Sequence, residues 1–124
     1  MSKIIINEQI NSSNGKENIN NKKAILKDNK ISYERNGFIM KIIIDDEKIY
    51  VIRENNNVKI NLKFKKDQSL TTKYIIKDMN TSVDLKTVTK KLSIQDNRIC
   101  IEYDLYMNDK FSDSFEFELE WRNL

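Results

Sequence analysis

The feature that most constrains this chain is an alternation of apolar and polar residues, in short runs, between Leu70 and Trp121. One run places an apolar side chain at every second position from Ile99 to Met107, and another does so from Phe115 to Trp121. Because strand side chains point alternately to the two faces of a sheet, each run has one apolar and one polar face. The pattern predicts antiparallel β-sheet with one face against a core.

Clusters of Asn, Asp and Lys break these runs at intervals of about ten residues. The chain has no proline and only two glycines. Asn and Asp must therefore make most of the turns, since their short polar side chains tolerate left-handed backbone. Asn14-Gly15 and Asn36-Gly37 are hairpin dipeptides. This regular spacing is typical of a meander that closes into a barrel or folds into a sandwich.

The alternation and its breaks predict ten strands, near residues 3–10, 22–27, 30–35, 38–45, 48–54, 57–65, 69–77, 81–94, 98–108 and 112–121. No window of useful length has helical spacing, so we expect one short helix at most. The second strand is the weakest, because residues 11–23 are rich in Asn and could equally be a mobile loop. In the eighth strand the apolar face switches between Lys86 and Lys90, which predicts a β-bulge or a barrel corner.

Composition limits the chemistry. The length of 124 residues indicates a single domain, residues 1–124, that can fold without disulfide or metal staples. Cys100 is the only cysteine and histidine is absent, which excludes an intrachain disulfide and every catalytic arrangement based on histidine. Acidic pairs such as Asp45 with Asp46 lie where turns would place them. We expect no metal, no cofactor and no enzymatic activity.

Membranes and nucleic acids are not the expected partners. No segment approaches the roughly twenty apolar residues that span a bilayer, and the start of the chain is too soon polar for a secretory signal, so we expect a cytoplasmic protein. The net charge of +3 is small. Residues 58–91 carry nine lysines against three aspartates, a net +6. However, Asn61 interrupts the basic face and no stacking aromatic shares it, as single-stranded nucleic acid would require.

Five local patterns resemble, in order, those of a known family. They are Ile31-Ser32-Tyr33-Glu34, the strand Lys48–Arg53, Lys73-Tyr74, the threonine-containing strand Leu85–Lys90, and Arg98–Leu105. With these patterns the chain resembles the YwiB-like uncharacterised proteins of Firmicutes, a domain-of-unknown-function family with a calycin-like barrel. The resemblance implies an all-β, antiparallel calycin-like or lipocalin-like barrel of about eight to ten strands with meander topology. The chain departs from the family pattern in two turns, residues 55–57 and 77–80, where such families usually have glycine.

The predicted ligand site lies inside this barrel. Arg53 ends a strand and shares the parity of Ile49 and Val51, so its guanidinium could enter one mouth and pair with a ligand carboxylate or with Glu34; it could equally be an exposed strand-end arginine. Tyrosines and threonines could line the cavity, or could be core and sheet-forming residues. The candidate residues for a small apolar or amphipathic ligand are Tyr33, Glu34, Arg53, Thr72, Tyr74, Thr87, Thr89 and Tyr103.

A second function class follows from the strand that begins near Ile39. Its residues 39–44 are apolar on both faces, apart from Lys41, so something should cover the outer face, either the N-terminal segment or a second subunit. A filled barrel would then act as a protein-interaction or structural module, as a homodimer through Ile39, Ile42, Ile43 and Ile44. Whether the barrel is hollow or filled separates the two hypotheses.

Overall fold

The computed structural model describes residues 1–124, which form ten strands and no helix. The strands are β1 (Ser2–Ser12), β2 (Gly15–Lys27), β3 (Lys30–Arg35), β4 (Phe38–Asp45), β5 (Lys48–Glu54), β6 (Val58–Lys65), β7 (Ser69–Ile76), β8 (Thr81–Gln95), β9 (Arg98–Met107) and β10 (Lys110–Asn123). A helix long and apolar enough to cross a bilayer is not among its elements. The predicted strands agree with these bounds to within about two residues, except that β2 begins at Gly15 instead of near residue 22.

Each strand pairs with the next in antiparallel orientation, and the first strand also pairs with the last. The closing contact between β1 and β10 runs from Ile4 opposite Asn123 to Asn11 opposite Glu116. The all-β meander prediction is confirmed, and the alternative between sandwich and barrel is resolved as a closed barrel. Closure gives every strand a hydrogen-bonded neighbour on each side, although the β2–β3 and β6–β7 ladders contain only three residue pairs each.

The turns confirm the role predicted for Asn and Asp. Nine residues other than glycine have positive φ, and all nine are Asn or Asp. Asn36 and Gly37 have φ of 51° and 83°, the two consecutive left-handed residues of the tightest hairpin turn. Asn108 and Asp109, with φ of 48° and 66°, make the same kind of turn without a glycine.

The sequence leaves two alternatives for residues 11–23, a weak strand or a mobile loop. In the structure these residues form part of the β1–β2 hairpin. Its turn comprises residues 13 and 14, and Ser12 lies opposite Gly15. The alternation was hidden because β2 contains a bulge opposite Asn7. Asn21 adopts φ of 56° there, and its N–H donates a hydrogen bond of 2.8 Å to Asn7 Oδ1. An extra residue at such a bulge reverses the parity of everything beyond it.

The bulge predicted in the eighth strand is confirmed. Thr89 lies opposite Tyr103 whereas Lys91 lies opposite Glu102, so Lys90 is the extra residue of β8. Before the bulge Leu85, Thr87 and Thr89 point inward. Beyond the bulge the other parity faces inward, and the inward residues Leu92 and Ile94 pack against the core.

The barrel interior is packed at one end. We call this end the base; it carries the turns at 28–29, 46–47, 66–68 and 96–97. Side chains from six strands are fully buried there, namely Ile4, Ile6, Ile31, Ile42, Ile49, Ile99 and Leu119. The opposite end, the mouth, carries the turns at 13–14, 36–37, 55–57, 77–80 and 108–109. Apolar packing is therefore concentrated in one half of the barrel.

This packing corrects the predicted dimer surface on β4. Ile42 is 0% exposed inside the barrel, and Ile44 packs against the same core. Both side chains therefore have inward parity, Ile42 fully buried and Ile44 partly buried. Only Ile39 and Ile43 of the predicted set lie on the outer face, because a strand offers alternate residues to each side.

The barrel has a corner between β6 and β7, where the ladder contains only three residue pairs, from Val58 to Ile60 on β6. Where the main-chain pairing stops, threonine hydroxyls donate hydrogen bonds to main-chain carbonyls of β6. Thr72 donates a hydrogen bond to the carbonyl of Asn61, and Thr87 on β8 donates one to the carbonyl of Lys63. Because a buried carbonyl without a donor is costly, these hydroxyls stabilise the corner.

We expect Thr87→Val to lower the free energy of unfolding by about 1–3 kcal/mol, because it keeps the branched shape but leaves the Lys63 carbonyl without its donor. Urea denaturation followed by far-ultraviolet circular dichroism measures this change. Thr71→Val, at an exposed position on β7, is the matched control. Equal stability of the two variants would contradict the role assigned to the hydroxyl.

Candidate functional site

The inside of the barrel holds a cavity of about 240 Å³ in its mouth half. Every strand except β2 contributes to its lining. Arg35 and Arg53 are the charged members of that lining. The others are Ile10, Met40, Val51, Ile60, Leu62, Phe64, Tyr74, Leu85, Tyr103, Leu105, Met107, Phe115 and Phe117. The cavity is thus apolar with two cationic groups, the composition that small-molecule sites typically have.

Aromatic rings separate the cavity from the packed base. The ring centroids of Phe64 and Tyr103 are 4.5 Å apart, and those of Tyr103 and Phe115 are 5.2 Å apart. Rings at these distances gain contact energy beyond their buried area. Burial raises the pKa of the Tyr103 phenol above its ordinary value of 10.0, at which a phenol is already protonated at neutral pH. This wall of the cavity is therefore aromatic and uncharged.

Arg53 is the cation of the lining that has no anionic partner. Register places it opposite Met40 on β4 and Ile60 on β6, so it faces inward one residue from the end of β5. Its guanidinium carbon lies 3.9 Å from the centroid of the Phe38 ring, a cation–π contact. Its Nε is buried without a hydrogen-bond acceptor. Burial, followed by the nearby charge of Arg35, lowers the pKa of Arg53 below its usual value.

Arg35 belongs to a polar network at the mouth. Its Nε lies 2.8 Å from Glu8 Oε1, and its Nη2 lies 2.6 Å from Glu17 Oε2. The Arg35 Nε–H bond is not aligned with the Glu8 oxygen, so that contact is a charge pair rather than a hydrogen bond. Tyr33 donates a hydrogen bond to Glu8 Oε2. Arg35 therefore joins the buried Glu8 to the exposed Glu17 on β2.

Glu8 is the buried carboxyl of this network, with 2% of the residue exposed. It points inward because it continues the parity of Ile4 and Ile6 along β1. Removal from water raises the pKa of Glu8, and the hydrogen bond from Tyr33 and the charge of Arg35 only partly oppose that effect. Burial likewise raises the pKa of Tyr33. Both shifts follow from the cost of placing a charge in the protein interior.

The structure brings three of the predicted site residues to the cavity and places five elsewhere. Arg53, Tyr74 and Tyr103 line it. The other five lie outside the lining. The hydroxyl of Tyr33 is hydrogen-bonded to Glu8, and Glu34 is exposed on the outer face. The last three are Thr72, Thr87 and Thr89.

The placements of Glu34 and of the three threonines differ from the prediction. Glu34 cannot pair with Arg53 through the barrel because its side chain has outward parity. The hydroxyls of Thr72 and Thr87 are bonded to main-chain carbonyls at the corner. Thr89 is buried beside that corner and its hydroxyl has no partner. A contact between the β8 threonines and a cavity ligand therefore has no support in the geometry.

The prediction missed Glu8 and Arg35. The signal was present in the alternation, because Arg35 has the parity of Ile31 and Tyr33. Glu8 likewise continues an apolar face from Ile4. A charged residue in register with buried apolar neighbours is a candidate for a buried ionic group.

We expect the stability of the protein to depend on the ionisation of Glu8. Its pKa in the folded chain is above the ordinary 4.5, so between these two values the folded chain binds more protons than the unfolded chain. The free energy of unfolding contributed by Glu8 therefore falls as the pH rises through this window. Glu8→Gln removes this contribution because an amide does not titrate.

Urea denaturation between about pH 4 and about pH 8 measures that effect as the difference between wild type and Glu8→Gln. The free energy of unfolding of the wild type minus that of Glu8→Gln should decrease as the pH rises. Glu116→Gln, on the exposed face of β10, is the control and should show no such trend. A wild-type minus Glu8→Gln difference that stays constant across this range would contradict the assignment.

Comparison with known proteins places the chain in a family. The profile of a domain of unknown function, DUF1934, matches residues 4–119. The crystal structure of the ywiB protein from Bacillus subtilis superimposes with a TM-score of 0.66 at 21% sequence identity, over 98% of this chain and 90% of that chain. No curated protein sequence matches the chain. The structural similarity supports the barrel fold, as the sequence patterns predicted, and the match over nearly the whole length shows that the chain belongs to the DUF1934 family.

Proposed function

We propose that the barrel is a non-enzymatic module that binds a small amphipathic ligand. The observation that carries the proposal is the lining of the cavity, in which thirteen hydrophobic side chains accompany a guanidinium group without an anionic partner. The apolar part of the ligand would lie against Phe64 and Tyr103, and its polar end near Arg53. Tyr33 supports this end indirectly, by holding Glu8.

The volume of the cavity limits the size of the ligand. A cavity of about 150 Å³ accepts a benzene molecule, so 240 Å³ holds about ten non-hydrogen atoms on the same scale. Burying each methylene contributes about 0.8 kcal/mol, which corresponds to roughly a fourfold gain in affinity. The ligand should therefore be a short chain or a single ring system.

Binding of 1-octanol, a probe of this size, can be observed directly through the methionine methyl groups. Met40 and Met107 line the cavity, whereas Met1 and Met79 are exposed. In a protein labelled with ¹³C at the methionine methyls, we expect the resonances of Met40 and Met107 to shift and saturate during a titration. Those of Met1 and Met79 should stay in place. Equal responses of all four methyls, or no response, would overturn the proposal.

Two further experiments test whether the probe occupies the cavity. Leu105→Phe adds bulk to the lining and should weaken octanol binding, while Leu124→Phe, at an exposed position, should not. In a series of linear alcohols, affinity should rise by roughly fourfold per methylene until the cavity is full, and then stop rising. A series that continued to rise would indicate binding on the outer surface.

A second candidate function is self-association through the outer face of β4. Ile39 on β4 is 49% exposed and Ile25 on β2 is 43% exposed, both on the outer face. The register places the polar residues Ser32, Glu34 and Lys41 between them. Exposed large apolar side chains are candidate contacts of a protein interface. We expect Ile39→Lys to convert a dimer into a monomer in analytical ultracentrifugation. Phe111→Lys, an equal change at an exposed residue on β10, is the control, and a wild-type monomer at micromolar concentration would exclude this function.

A further inference from the structure

The charges around the cavity are distributed unevenly between its lining and its rim. The lining contains two guanidinium groups and no carboxylate. The two nearby carboxylates, those of Glu8 and Glu17, both contact Arg35. None of the ion pairs of the structure includes Arg53. One positive charge therefore faces the cavity without a contacting anion.

The geometry of Arg53 leaves its donors available to a ligand. Phe38 covers one face of the guanidinium group at 3.9 Å, which leaves the N–H bonds free because they lie in the plane of the group. Planar donors of this kind pair with both oxygens of a carboxylate. The buried Nε has no acceptor from the protein, and a buried donor is rarely left without one.

We propose that the ligand of this cavity is a monocarboxylate with an apolar tail of about seven carbons, bound through its carboxylate to Arg53. This inference rests on the proposed function and specifies the chemistry of its ligand. A single negative charge balances the single guanidinium that lacks a contacting anion. The tail would lie among the apolar side chains of the lining, which include Tyr103.

The negative charge of Glu17 opposes the binding of an anionic ligand. The Glu17 side chain is 69% exposed and contacts Arg35 from β2, outside the cavity lining. Arg35 is only 7% exposed, so the pair is half-buried and keeps the Glu17 carboxylate beside the mouth of the cavity. Its negative charge opposes an anion arriving at Arg53, whose charge it already partly balances. Removing that charge should therefore favour an anionic ligand over a neutral one.

The test compares octanoate with 1-octanol, which have similar tails and differ in charge. Isothermal titration calorimetry near pH 7, where octanoate is ionised, gives the ratio of the two affinities for each variant. In the wild type we expect octanoate to bind about tenfold or more tightly than octanol, as a charge-assisted pair allows. Arg53→Gln should reduce this ratio to about one, and Glu17→Gln should increase it by roughly two- to fivefold.

Arg98→Gln is the matched control, because Arg98 is an exposed arginine at the base of the barrel. The ratio of octanoate to octanol affinity in Arg98→Gln should equal that of the wild type. This control separates a local effect of Arg53 from an effect of the net charge of the protein. If octanol binds as tightly as octanoate, or if Arg53→Gln leaves the ratio unchanged, the carboxylate inference is wrong while the cavity proposal stands. If neither probe binds and the methyls of Met40 and Met107 do not respond, the proposed function itself is wrong.

Discussion

The structure depends on the pairing of β1 with two strands at once, β2 on one side and β10 on the other. This double pairing closes the sheet, so that every strand has hydrogen-bonded neighbours on both sides. Closure also fixes which parity faces inward around the whole circumference. The inner and outer positions of each strand, and with them the base, the cavity and the rim, follow from that single condition.

Closure brings charged side chains to inward positions near the mouth. Glu8, Arg35 and Arg53 continue faces that are apolar nearer the base. Burying such groups costs free energy that pairing offsets only when the partners are well placed. Glu8 accepts a hydrogen bond from Tyr33 and Arg35 contacts two carboxylates, whereas Arg53 contacts the face of the Phe38 ring and no anion. A fold selected for stability alone would place an apolar side chain at that position.

The sequence alone was sufficient for the pairing of consecutive strands and for most strand bounds, because alternation and turn chemistry are local signals. Positive φ at Asp28 and Asn108, for example, follows from residue type and from the position between two apolar runs. The switch of the apolar face between Lys86 and Lys90 indicates a bulge or a corner in that range, and the structure has a bulge at Lys90, where an extra residue shifts the parity of the side chains beyond it. These features need no knowledge of distant contacts. The closing contact of β1 with β10 is not local, and the alternation left barrel and sandwich open.

The site was only partly predictable, for two physical reasons. Neighbouring residues such as Glu34 and Arg35 point to opposite sides of a sheet, so an error of one position exchanges an inner group for an outer one. The hydrogen bond of Thr87 to β6 depends on the sharp coiling of the sheet between β6 and β8. No pattern within β8 specifies that coiling, which arises from contacts far apart along the chain.

The contrast between the filled base and the open mouth half also determines how the protein responds to compression. Unfolding admits water into internal voids, so a folded chain that contains one occupies more volume than its hydrated unfolded form. Hydrostatic pressure consequently favours the unfolded state, and any part of the 240 Å³ cavity that water does not fill adds to that volume difference. A molecule seated in the cavity would reduce this contribution. Volume, and not only free energy, thus distinguishes an occupied barrel from an open one.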